Sequence, residues 1–141
     1  MHLISDLIDD TLCVIELPGD PIPAARPRVT RFRGTYDPKQ KEKKIAQTYM
    51  AQQWKKNPHD CPIRLEISFL MPKPSSWSQK QKIRQENASH VKKPDIDNLI
   101  KFTMDVMSGI VFRDDSCVYD LKAIKLYSET PKTIIKVMKN K

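Results

Sequence analysis

The clearest periodicity in the chain is the alternation of Ile63, Leu65, Ile67, Phe69 and Met71, which puts five large apolar side chains on one face of an extended strand. Such a run predicts a half-buried strand lying centrally in a sheet. Thr11 to Pro18 reads as a short apolar strand, and Thr133 to Met138 as the last strand, which closes the sheet before a basic tail. From Cys117 to Leu126 the alternation puts Cys117, Tyr119, Leu121 and Ala123 on the more apolar face, so another strand is expected there. The period lengthens to that of a helix from Asn98, with Leu99, Phe102, Val106, Met107 and Ile110 forming the apolar stripe and Gly109 ending the element. Asp97 or Asn98 stands where the helix needs a cap.

Asp37-Pro38 is a helix start, and a second helix is expected from Lys39 to about Lys55. Ile45, Tyr49 and Gln52 fall at helical steps along it, while Lys39, Lys41, Lys43 and Lys44 give a basic, solvated surface. Arg26 to Tyr36 reads as a hairpin turning at Arg33-Gly34. Between Pro72 and Lys92 the composition shifts to Lys, Ser, Gln and Pro, with Trp77 in the middle and a weak helix from Ser78 to Asn87. That stretch reads as a mobile excursion, whose tryptophan either anchors it to the body or stacks on an exposed base. Together the elements describe an α/β domain of the α+β kind, a small mixed sheet packed by two main helices.

With 141 residues the chain forms one domain, large enough to bury about two-thirds of its unfolded surface. Its 25 basic against 17 acidic residues leave a net charge of +8, which suits a polyanionic partner. Arg26, Arg28, Arg31 and Arg33 are spaced along the hairpin so as to line one edge and track phosphates, and the same spacing also serves an edge strand protected from aggregation. No apolar run approaches the roughly 18 residues needed to span a bilayer, and the first residues carry three aspartates instead of a basic leader. No membrane association is expected, and the cytoplasm is the expected compartment. Cys13, Cys61 and Cys117 are odd in number and never spaced as a metal knuckle, and are read as reduced thiols. His2, His59 and His90 are scattered, although His90 lies close before the most acidic motif.

That motif is Lys93-Pro-Asp-Ile-Asp-Asn-Leu-Ile-Lys101, and Asp114-Asp115 follows the helix it opens. In extended backbone Asp95 and Asp97 share a face, and Pro94 biases Lys93 toward such a conformation. Asp97, Lys101 and Asp105 then recur at steps of four on the polar side of the helix. Carboxylates held near 4 Å repel by about 1 kcal/mol in water and more where partly buried, so a cluster of them calls for a cation. Hard oxygen ligands select Mg²⁺, with Mn²⁺ able to substitute. Spacing alone leaves open whether Asp115 returns to the end of the helix that carries Asp95.

The run KPDIDNLIKFTMDVMSGIVFRDDSCVYDLKAIK resembles the RusA family of Holliday-junction resolvases, with its KPDxDN segment, a lysine four residues after the second aspartate, and an aspartate pair after a helix. The likeness extends more loosely to Pro21–Arg28 and Met71–Pro74, covering roughly residues 12 to 138 and leaving residues 1 to 11 as an N-terminal extension before a single domain over 12 to 141. The resemblance implies a RusA-like homodimer that binds four-way DNA junctions and makes paired, symmetric nicks in recombination and repair, and a phage or prophage origin. It also implies that Asp95, Asp97 and Asp115 bind the metal and are catalytic, with Asp114 as an adjacent carboxylate and Lys101 in an essential basic role. Lys92 and Lys93 join the four arginines as expected DNA contacts. No small-molecule cofactor is implied.

Two other classes stay open on the residues alone. One is a basic DNA-binding module whose carboxylates are structural, which would gain from losing acidic side chains that face a phosphate backbone. The other is a metal-dependent phosphoesterase acting on nucleotides, for which no Gly-rich phosphate loop is present.

Overall fold

The computed structural model describes residues 10–26, 28–31 and 34–141. A four-stranded sheet of β1 (Thr11–Pro18), β4 (Ile63–Met71), β5 (Val118–Tyr127) and β6 (Lys132–Lys139) has the order β1-β6-β4-β5. The expected central strand is interior, antiparallel to β6 on one side and parallel to β5 on the other. A separate hairpin pairs β2 (Arg28–Thr30) with β3 (Gly34–Tyr36), and three helices complete the chain: α1 (Gln40–Gln53), α2 (Gln79–Arg84) and α3 (Ile96–Met107). The architecture is the mixed α+β domain expected from the sequence.

Alternation explains why the sheet has one dry face. Ile63, Leu65, Ile67, Phe69 and Met71 are all buried, and Ile15, Ile135 and Val137 join them from the neighbouring strands. Onto them pack Leu99, Phe102, Val106 and Met107 of α3, the residues of the sequence-read stripe. Arg64 lies on the opposite face, where its Nε donates to the Lys139 carbonyl at 2.9 Å and its guanidinium pairs with Asp10 at 3.0 Å. Asp10 also accepts the Lys139 amide at 3.1 Å, so the sheet engages the chain from residue 10 onward. Among the described residues no helix is long and apolar enough to cross a membrane.

Three details depart from the sequence reading. The inner face of α1 is formed by Ala46 and Met50, continued by Trp54, whereas Ile45 and Tyr49 are 51% and 43% exposed. The larger apolar residues flank the contact, lining a shallow groove with Leu17 and Phe102, while small Ala46 lies at the buried contact itself. Cys61 and Cys117 are joined in a disulfide, with Cα atoms 4.7 Å apart, although the sequence suggested separate thiols; Cys13 remains free. The Pro72–Lys92 excursion is tied to the sheet. Asn87 and His90 donate to the Tyr127 and Lys125 carbonyls at 2.9 and 3.0 Å, Tyr127 donates back to Ala88 at 2.9 Å, and Trp77 anchors the segment against the Tyr127 ring at 5.0 Å.

Because β4 and β5 are parallel, the chain between them must travel back along the sheet before β5 can start. α3 makes that return. The far end is fastened by the His59 amide donating to Val111 at 2.7 Å and by the Cys61–Cys117 bond.

The α1 assignment has a simple check. Met50→Ala is expected to cost about 2–5 kcal/mol and Ile45→Ala no more than about 0.5 kcal/mol in denaturant unfolding, because only the first empties a buried site.

Candidate active site

The Lys93–Lys101 motif is held in place by a lysine from the sheet. Lys125, on β5, donates its Nζ to the carbonyls of both Lys92 and Pro94 at 2.7 Å. A half-buried ammonium with two carbonyl acceptors fixes the approach to α3, since each bond to a charged donor contributes about 1.5–3 kcal/mol. Asp95 is the N-cap, and its main-chain oxygen accepts the Leu99 amide at 3.3 Å. Its carboxylate makes no capping bond and pairs instead with Lys93 at 2.9 Å. The helix therefore begins two residues earlier than its stripe suggested. Asp97 lies in its first turn, and the two aspartates do not sit together in extended backbone as the sequence reading had them.

Asp95 and Asp97 are both exposed and line one open cleft with His90, Lys92, Lys93 and Lys125. Lys101 follows one turn beyond Asp97 and is also exposed. The amide of Lys39, then the Lys43 ammonium, then the charge of Lys101 hold the Asp37 carboxyl below its ordinary range, which puts the base of the β2–β3 arm within electrostatic reach of Lys101. The same arm is approached from the other side. Ala24 donates its amide to the Asn98 carbonyl at 2.9 Å, bringing the Pro21–Arg26 segment onto the first turn of α3.

Asp114 and Asp115 are elsewhere. Asp114 caps a short 3-10 turn, Asp115–Cys117, its carboxylate accepting the Ser116 hydroxyl at 2.7 Å and the Ser116 amide at 3.4 Å. Those two donors, the hydroxyl first, keep its pKa below the usual carboxylate value. Asp115 precedes the start of β5, whereas Asp95 is tethered near the end of β5 through Lys125. At about 3.3 Å per residue, Val118 and Lys125 alone are roughly 23 Å apart. The convergence of Asp95, Asp97 and Asp115 at one point is thus not formed within a single chain. Among the described residues no three His, Cys, Asp or Glu side chains are grouped to hold a metal ion.

With this geometry in view, comparison with known proteins gives a family model, described as Endodeoxyribonuclease RusA, that matches residues 18–138. The chain belongs to the RusA endodeoxyribonuclease family. The match spans every strand and helix of the domain except most of β1 and the last residue of β6. The Uncharacterized protein YqaN of Bacillus subtilis (strain 168) is 31% identical over 80 residues, which is 54% of this chain and 56% of that protein, so the chain spans little more than half the length of this relative.

In this RusA-family chain the expected DNA contacts are unevenly placed. Arg26 is exposed at the end of the segment that meets α3, Arg28 opens β2, Arg31 follows it, and Arg33 lies outside the described residues. Lys92 is exposed beside the cleft, and Lys93 is engaged with Asp95. Lys125 was missed in the sequence reading. Its signal is a charge at an inward position of the 121-123-125-127 alternation, where an apolar residue would ordinarily stand.

His90 is 7% exposed, packed against the Tyr127 ring at 4.8 Å, with no partner for Nδ1. Burial first, and the neighbouring Lys125 charge second, hold its pKa below 6.5. It is therefore neutral at pH 7, and its contribution to stability is complete above pH 6.5. As pH falls below that value the unfolded chain takes up the proton first, and the contribution is lost as pH passes down through the folded pKa. His90→Phe is expected to flatten the decline of the urea midpoint between pH 6.5 and 5. An unchanged slope would assign the acid sensitivity to other groups.

Proposed function

We propose that this chain is a Mg²⁺-dependent, structure-specific endonuclease that acts as a homodimer to resolve four-way DNA junctions by paired symmetric nicks, in recombination and repair. The observation that carries this reading is the pair Asp95 and Asp97 at the start of α3, with Lys101 one turn further on, beside an open cleft flanked by lysines. The net charge of +8 suits an extended phosphate backbone, and the unbonded amides of the first helical turn favour an anion at that position. Catalysis fits better than binding alone, because exposed carboxylates facing DNA weaken association and serve best as ligands.

One chain offers two carboxylates at the cleft and Asp115 at the other end of β5, which supports a metal site shared between two copies: Asp95 and Asp97 from one, Asp115 from the other. Bound there, Mg²⁺ or Mn²⁺ would lower the pKa of a water and offset charge on the scissile phosphate. Lys101 stabilises the additional negative charge of the pentacovalent phosphorus or orients the attacking water. Lys93 holds Asp95 in a single ion pair that DNA phosphates can exchange for, and Lys125 keeps the loop from moving as they approach.

Cleavage of a labelled four-way junction beside linear duplex, with Mg²⁺, Mn²⁺ or EDTA, tests the activity. Symmetric nicks confined to the junction and abolished by EDTA are expected, and activity surviving in EDTA would contradict the metal role.

Mixing variants tests the sharing. Asp95→Asn and Asp115→Asn are each expected to bind junctions without cutting. When the two proteins are mixed and allowed to exchange subunits, the mixed dimer regains one intact site and nicks a single strand. Sites contained within one chain would stay inactive in the mixture.

A further inference from the structure

We propose that two copies of this chain join through the open edge of β5, pairing antiparallel about a twofold axis at Leu121, so that their sheets become one. The inference rests on the homodimer reading above and names its surface.

β5 is one of the two edge strands, and among the described residues its outer side is covered only at its end. There Asn87–His90 bonds to Lys125 and Tyr127, whose main-chain groups therefore point outward. Over Asp120–Tyr127, where the register with β4 is unbroken, the period of two turns the main chain of Ala123 and Leu121 outward as well. Among the described residues nothing pairs with that side of them. The open stretch is thus Val118–Ile124, and its middle residue is Leu121. Apolar surface is concentrated on it: Tyr119, Leu121 and Ile124 are 53%, 38% and 40% exposed.

This stretch is complementary to itself in one register. With the axis at Leu121, the two Leu121 residues form a hydrogen-bonded pair. Asp120 stands opposite the partner's Lys122, and Lys122 opposite the partner's Asp120. Beyond them Ala123 and Ile124 face the partner's Tyr119 and the partner's Val118, where β5 carries an irregularity in its register with β4. Leu121 and Ala123 share the face of Leu65 and Ile67, so their side chains would extend the apolar surface on the helix side, while the charged pairs lie on the other face. Moving the axis by one residue sets Asp120 against its own copy, or Lys122 against its own copy, and like charges directly opposite are destabilising. Half-residue shifts oppose outward main-chain groups to inward ones. Pairing cannot run past Ile124, because the strap from Asn87 to His90 already occupies the edge. In the Leu121 register the Asp115 end of one strand lies alongside the partner's Lys125, the residue that holds Pro94 and with it Asp95.

The full-length protein provides the test. At a hydrogen-bonded antiparallel pair the Cα atoms are about 5.5 Å apart, within reach of a disulfide. Leu121→Cys, oxidised by glutathione disulfide with release of two reduced glutathiones per bond formed, is expected to run as a covalent dimer on a non-reducing gel. Wild type and Val14→Cys, on the opposite edge of the sheet, are expected to stay monomeric there. In sedimentation, Asp120→Lys and Lys122→Asp are each expected to raise the dimer dissociation constant about tenfold, and the double reversal to restore it. A wild-type dimer indifferent to both reversals, with no Leu121→Cys cross-link, would overturn this surface and leave the homodimer standing. A wild type that stays monomeric at concentrations where junctions are cut would overturn the homodimer reading and the surface together.

Discussion

The parallel pairing of β4 with β5 is the constraint from which the rest of the layout follows. Parallel neighbours oblige the intervening chain to return along the sheet, and α3 does so with its apolar stripe against Phe69 and its neighbours. Whatever opens the helix is then separated from whatever opens the next strand by the length of the crossover. An antiparallel β5 would have placed the two aspartate groups near each other in one chain. The parallel arrangement separates them while keeping each fixed, one by the Lys125 bonds and the other by the 3-10 turn and the Cys61–Cys117 link.

Much of the fold was legible because the relevant residues obey a single period. Ile63–Met71 places an apolar residue at every second position, with Leu70 the one apolar residue on the other phase, and Leu99, Phe102, Val106 and Met107 occupy one helical stripe, so strand, helix and buried face could all be read from spacing. α1 was misread because its sequence offers two stripes one residue apart, and the smaller side chains of Ala46 and Met50 won over Ile45 and Tyr49 through packing against β1 and α3, which spacing does not contain. Strand direction was equally hidden: the alternation of Tyr119, Leu121 and Ala123 is the same whichever way a neighbour runs.

The geometry around the candidate residues was not legible in the sequence. Asp95 and Asp97 line one cleft, and Lys101 is exposed one turn beyond Asp97. The cap fell on Asp95, because an extended residue with its carbonyl committed to Leu99 is all a helix start requires, and the carboxylate was left for Lys93. Asp114 illustrates the local competition that sequence alone cannot resolve: Ser116, two residues on, supplies both an amide and a hydroxyl, and these occupy the carboxylate. Lys125 escaped notice because its partners are main-chain carbonyls, which leave no trace in residue identity.

The short strap Asn87–His90 has an effect on assembly that its size does not suggest. A sheet edge whose main-chain groups are unpaired can in principle add copies without limit, the route by which ordinary edge strands nucleate fibres. By occupying the end of β5, the strap shortens the open run among the described residues to Val118–Ile124. In the pairing proposed above, growth on that side would stop at two subunits, and a potential polymerisation site would become a closed one.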